Sequence, residues 1–151
     1  MEEKVRETFF TASQGRSEAV GGALLGRTRA GIFALYGDRG AGQPALVRGA
    51  AAALGDFSAA SPTFSILHEY VTNPTIYHFD LYRLTGEEDL EAVGYFEALD
   101  AEGIVFIEWP DRAGDFLPKE RVDIRLETMK TVQGNRRKIV LEDDCGLLDP
   151  A

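Results

Sequence analysis

The chain has 151 residues, 44% of them hydrophobic, which is the size of one ordinary domain with enough apolar mass for a core. Its net charge of −9 argues against a protein that grips nucleic acid alone, because the long-range field repels phosphate. A single cysteine, Cys145, excludes an internal disulfide and a Cys-rich zinc site, no apolar run is long enough to span a bilayer, and the charged start MEEKVRE lacks a secretory apolar segment, so the expectation is a cytoplasmic protein with no membrane partner.

In chain order, residues 5–10 read as a first strand and 15–25 as a weak helix diluted by glycines. Residues 32–36, IFALY, are a continuous apolar run typical of a strand buried on both faces. A glycine-rich turn follows, then an alanine-rich helix over 44–54, with Gly55 suited to its C-cap. Residues 65–71 and 75–81 read as paired strands around a turn at Asn73 and Pro74. In the second of these, Ile76, His78 and Asp80 share one face, and Tyr77, Phe79 and Leu81 share the other. Thr85 and Glu88 have the spacing of a capping box, with Thr85 as N-cap, opening a helix that runs to about Leu99. Residues 104–107 are another buried strand, ending at Glu108, and 122–126 and 138–142 alternate as strands do. Residues 1–142 form the domain, and 143–151 read as a flexible C-terminal tail.

The turn after IFALY carries the chemistry. It reads Gly37, Asp38, Arg39, Gly40, Ala41, Gly42, Gln43, Pro44. A strand, a glycine-rich loop and a helix in that order are the context of a P-loop. The glycines let the backbone approach a phosphate, and the helix start offers free N–H groups and a positive dipole. The motif then asks for Lys and Ser or Thr, and this chain has Gln43 and Pro44 there. Gln43 carries no charge for the outer phosphates, while Pro44 has neither a hydroxyl for magnesium nor an N–H. Proline also biases Gln43 away from helical geometry, so the helix is expected to begin at Pro44 with Gln43 outside it. Without a ligand, the same loop is a plain glycine-rich turn, and Arg39 is either a surface arginine or a stand-in for the lysine. The fold class is α/β, a single P-loop NTPase-like domain of three layers with a mixed, partly parallel sheet.

Downstream motifs make the assignment specific. Ser61-Pro-Thr-Phe64, Glu69-Tyr70, His78-Phe-Asp80-Leu-Tyr82-Arg83 and Ile107-Glu108-Trp109-Pro110 follow in that order. Together with the loop they resemble the TsaE family, over about residues 5–142. The resemblance implies a weak P-loop ATPase that supports N6-threonylcarbamoylation of adenosine in tRNA as an accessory subunit to TsaD and TsaB. It implies ATP or ADP and Mg2+ as ligands, and contact with tRNA only through those partners. It implies that residues 37–42 wrap the phosphates, that Thr63 and Glu108 serve the metal, and that Asp80 organises water or metal. Trp109 is then placed beside the nucleotide or the partner. The departure at Gln43 and Pro44 puts hydrolysis in question.

Read without the resemblance, each residue has a plainer role. Glu108 is a solvated strand end, Asp80 an ion-pair partner for an arginine, Thr63 a turn hydroxyl and Trp109 a packed aromatic. His78 reads as a hydrogen-bonded core histidine, since two histidines do not make a zinc site. Arg83 pairs with Glu87 one turn on. Arg136, Arg137 and Lys138 are the basic cluster of note, read as a solvated strand face with a lesser option of phosphate or partner contact. Three functions follow: a TsaE-type ATPase with a deviant loop, a degenerate docking module on the same partners that no longer hydrolyses, and a small-molecule P-loop kinase. The kinase is disfavoured by a short chain with no separate acceptor domain or lid.

Overall fold

The computed structural model describes residues 5–12, 14–27, 31–37, 42–58, 66–132 and 134–148. In chain order they form β1 (Val5–Thr11), α1 (Gln14–Leu25), β2 (Ile32–Tyr36), α2 (Gln43–Ala53), β3 (Leu67–Tyr70) and β4 (Ile76–Asp80). Then come α3 (Glu87–Ala92), α4 (Tyr95–Asp100), β5 (Ile104–Glu108), a 3-10 helix (Pro110–Phe116), β6 (Val122–Thr131) and β7 (Gly134–Asp143).

β2 sits at the centre because IFALY has no polar face to offer water: Phe33, Ala34 and Leu35 are fully buried. It pairs in parallel with β5 on one side and β6 on the other, and β4 extends the parallel set beyond β5. The outer pairings, β3 with β4, β7 with β6 and β1 with β7, are antiparallel. The seven strands run β1-β7-β6-β2-β5-β4-β3. The expected mixed, partly parallel sheet is therefore present, with its parallel strands inside, where both faces can be covered.

Period-two alternation divides the core. Phe33, Leu35, Ile76 and Phe106 join Leu24 of α1 and Leu46 and Val47 of α2 on one face. Phe79, Leu81, Val105 and Ile107 join Leu90 of α3 and Tyr95 and Ala98 of α4 on the other. The alternation expected in β4 holds for Ile76 against Phe79 and Leu81, and a helix–sheet–helix sandwich results.

The helix α1 that looks weak in sequence is built for close approach. A Cβ at Gly21 would lie 1.9 Å from the Leu46 carbonyl oxygen, and one at Gly49 of α2 would lie 1.8 Å from the Glu18 carbonyl oxygen. The glycines that dilute α1 as a helix former are what let the two backbones touch.

Three expectations change. The single helix after Thr85 is broken into α3 and α4 by Gly94, which takes a left-handed φ of 81°. Its N-cap is Gly86, and Thr85 instead donates its N–H and its hydroxyl to Asp89 Oδ2, each at 3.0 Å. Residues 143–148, which open the segment expected as a tail, are held in place. Asp143 is fully buried and accepts the backbone N–H groups of Cys145, Leu147 and Leu148, and the Leu148 side chain is buried in the core. No helix among the described residues is long and apolar enough to cross a membrane.

The Asp89 contact gives a pH test. The Thr85 backbone N–H, and then its hydroxyl, hold the Asp89 carboxyl below its ordinary value. The sign follows from the lowered folded value: the contribution is complete above the unfolded carboxyl value of about 3.9 and is lost as pH falls through the folded one. Thr85→Ala removes the hydroxyl and keeps the backbone N–H, so it should move the Asp89 titration, followed by carboxyl NMR, part of the way back up toward that ordinary value. An unmoved titration would remove the Thr85 hydroxyl as a cause and leave the backbone N–H.

Candidate functional site

The parallel strands β2, β4 and β5 end at one edge of the sheet, where open α/β sheets carry ligands. The chain leaves β2 through Gly37 at φ 150° and enters α2 through Gly42 at φ 108°, ψ 14°. Gly42 is the N-cap, and its carbonyl accepts the Leu46 N–H at 3.1 Å. Asp38, Arg39, Gly40 and Ala41 lie outside the described residues.

Gln43 departs from its expected place. It is the first residue of α2, is 4% exposed, and its Nε2 donates to the Gly37 carbonyl at 3.1 Å. Proline disfavours helical geometry in the residue before it without forbidding it. Here burial and a neutral hydrogen bond worth about 1 kcal/mol work against that bias. The amide closes the loop on itself, joining its two glycine ends. Pro44 is tolerated because its missing N–H falls among the first four of the helix, which have no acceptor within it.

Across the edge stand two carboxylates. Asp80 at the end of β4 and Glu108 at the end of β5 are register partners, and Glu108 is also opposite Leu35 of β2. Asp80 Oδ1 accepts the Tyr82 N–H at 3.1 Å, which fixes its rotamer in a short turn. Glu108 is 9% exposed, and its Oε2 lies 2.7 Å from Nε2 of fully buried His78. His78 Nδ1 is buried with no hydrogen-bond partner among the described residues, so Nε2–H is the ring's anchoring donor and Glu108 its acceptor. The bond orients the Glu108 side chain from behind. Sequence alone points to a core role for His78. The link to Glu108 requires the β4–β5 register, which places His78 opposite Phe106, two residues before Glu108 and on the same face.

Trp109 follows Glu108 in a left-handed conformation, φ 55° and ψ 53°. For a non-glycine residue this costs of order 1–3 kcal/mol. The turn swings its ring off the strand and against Tyr82, with centroids 4.8 Å apart, and the Arg112 guanidinium lies 5.8 Å from each ring. The half-buried Trp109 and exposed Tyr82 therefore form an aromatic shelf beside the acidic pair. Arg83 is exposed and makes no ion pair with Glu87 among the described residues, because Glu87 opens α3 while Arg83 precedes it in a turn. Thr63 lies outside the described residues.

The donors fit magnesium only in part. No group of three or more His, Cys, Asp or Glu side chains able to hold a metal occurs among the described residues. Magnesium, however, is commonly held by one or two carboxylates plus water and phosphate oxygens, and Asp80 and Glu108 offer those two side by side.

Comparison with known proteins places the chain in a family. The family model for the threonylcarbamoyl adenosine biosynthesis protein TsaE matches residues 11–139. The tRNA threonylcarbamoyladenosine biosynthesis protein TsaE of Borreliella burgdorferi is 42% identical over 93 residues, 60% of this chain and 68% of that protein. Its namesake from Treponema pallidum is 36% identical over 118 residues, 76% and 86% of the two chains. The one from Nostoc is 33% identical over 135 residues, 85% and 82%. Among solved structures, Bacillus subtilus YdiB superposes with a TM-score of 0.71 at 24% identity, covering 95% of this chain and 89% of that one, which speaks to the fold. With a model match spanning most of its length, the chain belongs to the TsaE family.

Proposed function

We propose that this protein is a nucleotide-binding accessory subunit for tRNA N6-threonylcarbamoyladenosine formation, working with TsaD- and TsaB-like partners and meeting tRNA only through them. The observation that carries the proposal is the convergence at one sheet edge of Gly37 and Gly42, the start of α2, and the register pair Asp80 and Glu108. The helix start and the glycine backbone suit phosphate. Asp80 and Glu108 would hold magnesium, with Glu108 oriented by His78. Bound there, the ion would screen phosphate charge. The shelf of Trp109 and Tyr82 would meet the nucleotide or a partner surface.

A second reading has its own support. Gln43 is committed to the Gly37 carbonyl, and Pro44 offers no hydroxyl. Both weaken a hydrolytic site without disturbing the outer surfaces, which favours a module that docks without turning over ATP. Calorimetric titration with Mg–ATP and Mg–ADP, followed by ATPase assays with the cognate TsaD–TsaB pair, separates the two. We expect micromolar binding and hydrolysis dependent on the partners. Binding without hydrolysis selects the docking module. Failure to recover the partners at micromolar concentration would end the accessory-subunit reading.

A further inference from the structure

Of the three basic residues 136–138, one is turned toward the loop. Alternation along β7 puts Arg137 on the face of Ile139 and Leu141, which pack in the cluster that holds Leu46 and Val47 of α2. Arg136, one residue earlier, is exposed and belongs to the other face. Arg137 is paired with Thr11 of β1 on one side and Thr128 of β6 on the other, so its backbone position is fixed within the sheet.

From there its guanidinium reaches the first turn of α2. A Cβ at Gly42 would lie 2.7 Å from Arg137 Nη1, 3.2 Å from Cζ and 3.3 Å from Cδ. Gly42 is required by its φ of 108°, and the end of the arginine side chain lies against it. Nη1 is buried and has no hydrogen-bond partner among the described residues. A guanidinium does not shed its charge in a protein, and a buried donor without an acceptor is costly to keep. The molecule therefore holds a fixed cation, with a donor unsatisfied among the described residues, against the glycine that opens the loop helix. The next residue, Gln43, occupies the place where the motif calls for a cation.

We propose that Arg137 supplies from β7 the positive charge that Gln43 cannot, and that it binds a phosphate group of a nucleoside di- or triphosphate. The inference rests on the nucleotide-binding reading above. A guanidinium is suited to the task, because its planar fork can give two parallel N–H bonds to phosphate oxygens. Strand order also separates the two kinds of charge. Arg137 comes from the β6–β7 side of β2, and Asp80 and Glu108 come from the β5–β4 side. Cation and metal-binding acids thus flank the loop instead of neutralising one another.

The test is calorimetry with Mg–ADP on the intact protein and on Arg137→Gln, Arg137→Met and Arg136→Gln, with adenosine as a ligand lacking phosphate. We expect Arg137→Gln to weaken Mg–ADP about tenfold, Arg136→Gln to leave it within twofold, and adenosine binding to be equal in all proteins. Arg137→Met keeps the apolar stem against Gly42 and carries the same expectation should the glutamine variant fail to fold. Gln43→Lys should raise affinity more in the Arg137→Gln background than in the unaltered protein, a coupling that a purely structural role for Arg137 would not produce. If the unaltered protein binds Mg–ADP and folded Arg137→Gln and Arg137→Met bind it equally well, the role of Arg137 is overturned while nucleotide binding stands. If the unaltered protein binds neither Mg–ADP nor Mg–ATP at millimolar concentration, the nucleotide reading is overturned and the role of Arg137 goes with it.

Discussion

Replacing Gln43 by lysine together with Pro44 by threonine is expected to raise affinity for Mg–ATP at least tenfold. The change restores an ammonium for the outer phosphates and a hydroxyl for magnesium. Charge-assisted contacts are worth about 1.5–3 kcal/mol each, which is roughly tenfold or more per contact. Two effects reduce the gain. Gln43 is buried and donates to the Gly37 carbonyl, so the substitution gives up a satisfied contact. Arg137 also places positive charge beside Gly42 already, so a second cation meets some repulsion. The gain should consequently be larger in the Arg137→Gln background than in the unaltered protein, a coupling that a double-mutant cycle measures directly. Calorimetric titration gives both numbers. No gain in either background would sink the idea that positions 43 and 44 are where phosphate affinity was lost.

Gly49→Ala adds a single methyl group and is expected to destabilise the fold severely. Alanine ordinarily favours a helix over glycine by about 1 kcal/mol. At Gly49, however, the new carbon would lie 1.8, 2.4 and 2.5 Å from the carbonyl oxygen, carbonyl carbon and Cα of Glu18. All three are backbone atoms, so no side-chain rotation relieves the overlap and α1 must move off α2. Overpacking of this kind costs about 3 kcal/mol. For a chain of this size that is a fall in melting temperature of roughly 6–12 °C. Gly26→Ala serves as the control, since its Cβ would meet its nearest neighbour, the Ala23 carbonyl oxygen, at an ordinary 3.5 Å. A Gly49→Ala protein that melts within about 2 °C of the unaltered one would show that the two helices do not approach this closely.

The parts of the fold legible in sequence are those written in hydrophobic pattern. IFALY declares a strand covered on both faces, and the alternation in β4 sorts Ile76 from Phe79 and Leu81 correctly. The parts that were not legible depend on through-space geometry. The glycines of α1 argue against a helix by propensity, and their purpose appears only when α2 lies across them. A capping-box spacing at Thr85 and Glu88 suggests one helix, but Gly94 takes a left-handed turn that local pattern does not foresee. Gln43 is driven into the helix by a hydrogen bond to a residue on the far side of the loop. The acids Asp80 and Glu108 could be named from their positions at strand ends, and the structure brings them together in register. The bond from His78 to Glu108 and the approach of Arg137 to Gly42 are invisible to motif reading, because each joins residues far apart in sequence.

The pairing of β1 with β7 has a consequence for how the chain is made. Among the described residues, Val5–Thr11 finds its only strand partner in Gly134–Asp143. During synthesis the ribosome must add roughly 120 residues after Thr11 before that partner starts to emerge. At about 5–20 residues per second, this leaves the first strand unmatched for roughly 6–25 s. The same late hairpin brings both β6, the parallel neighbour of β2, and Arg137, so β2, β5 and β4 can pair before the loop acquires its cation. If Arg137 binds phosphate as inferred, nucleotide affinity is the last property the nascent protein gains, and a ligand that favours the finished state would stabilise it by mass action.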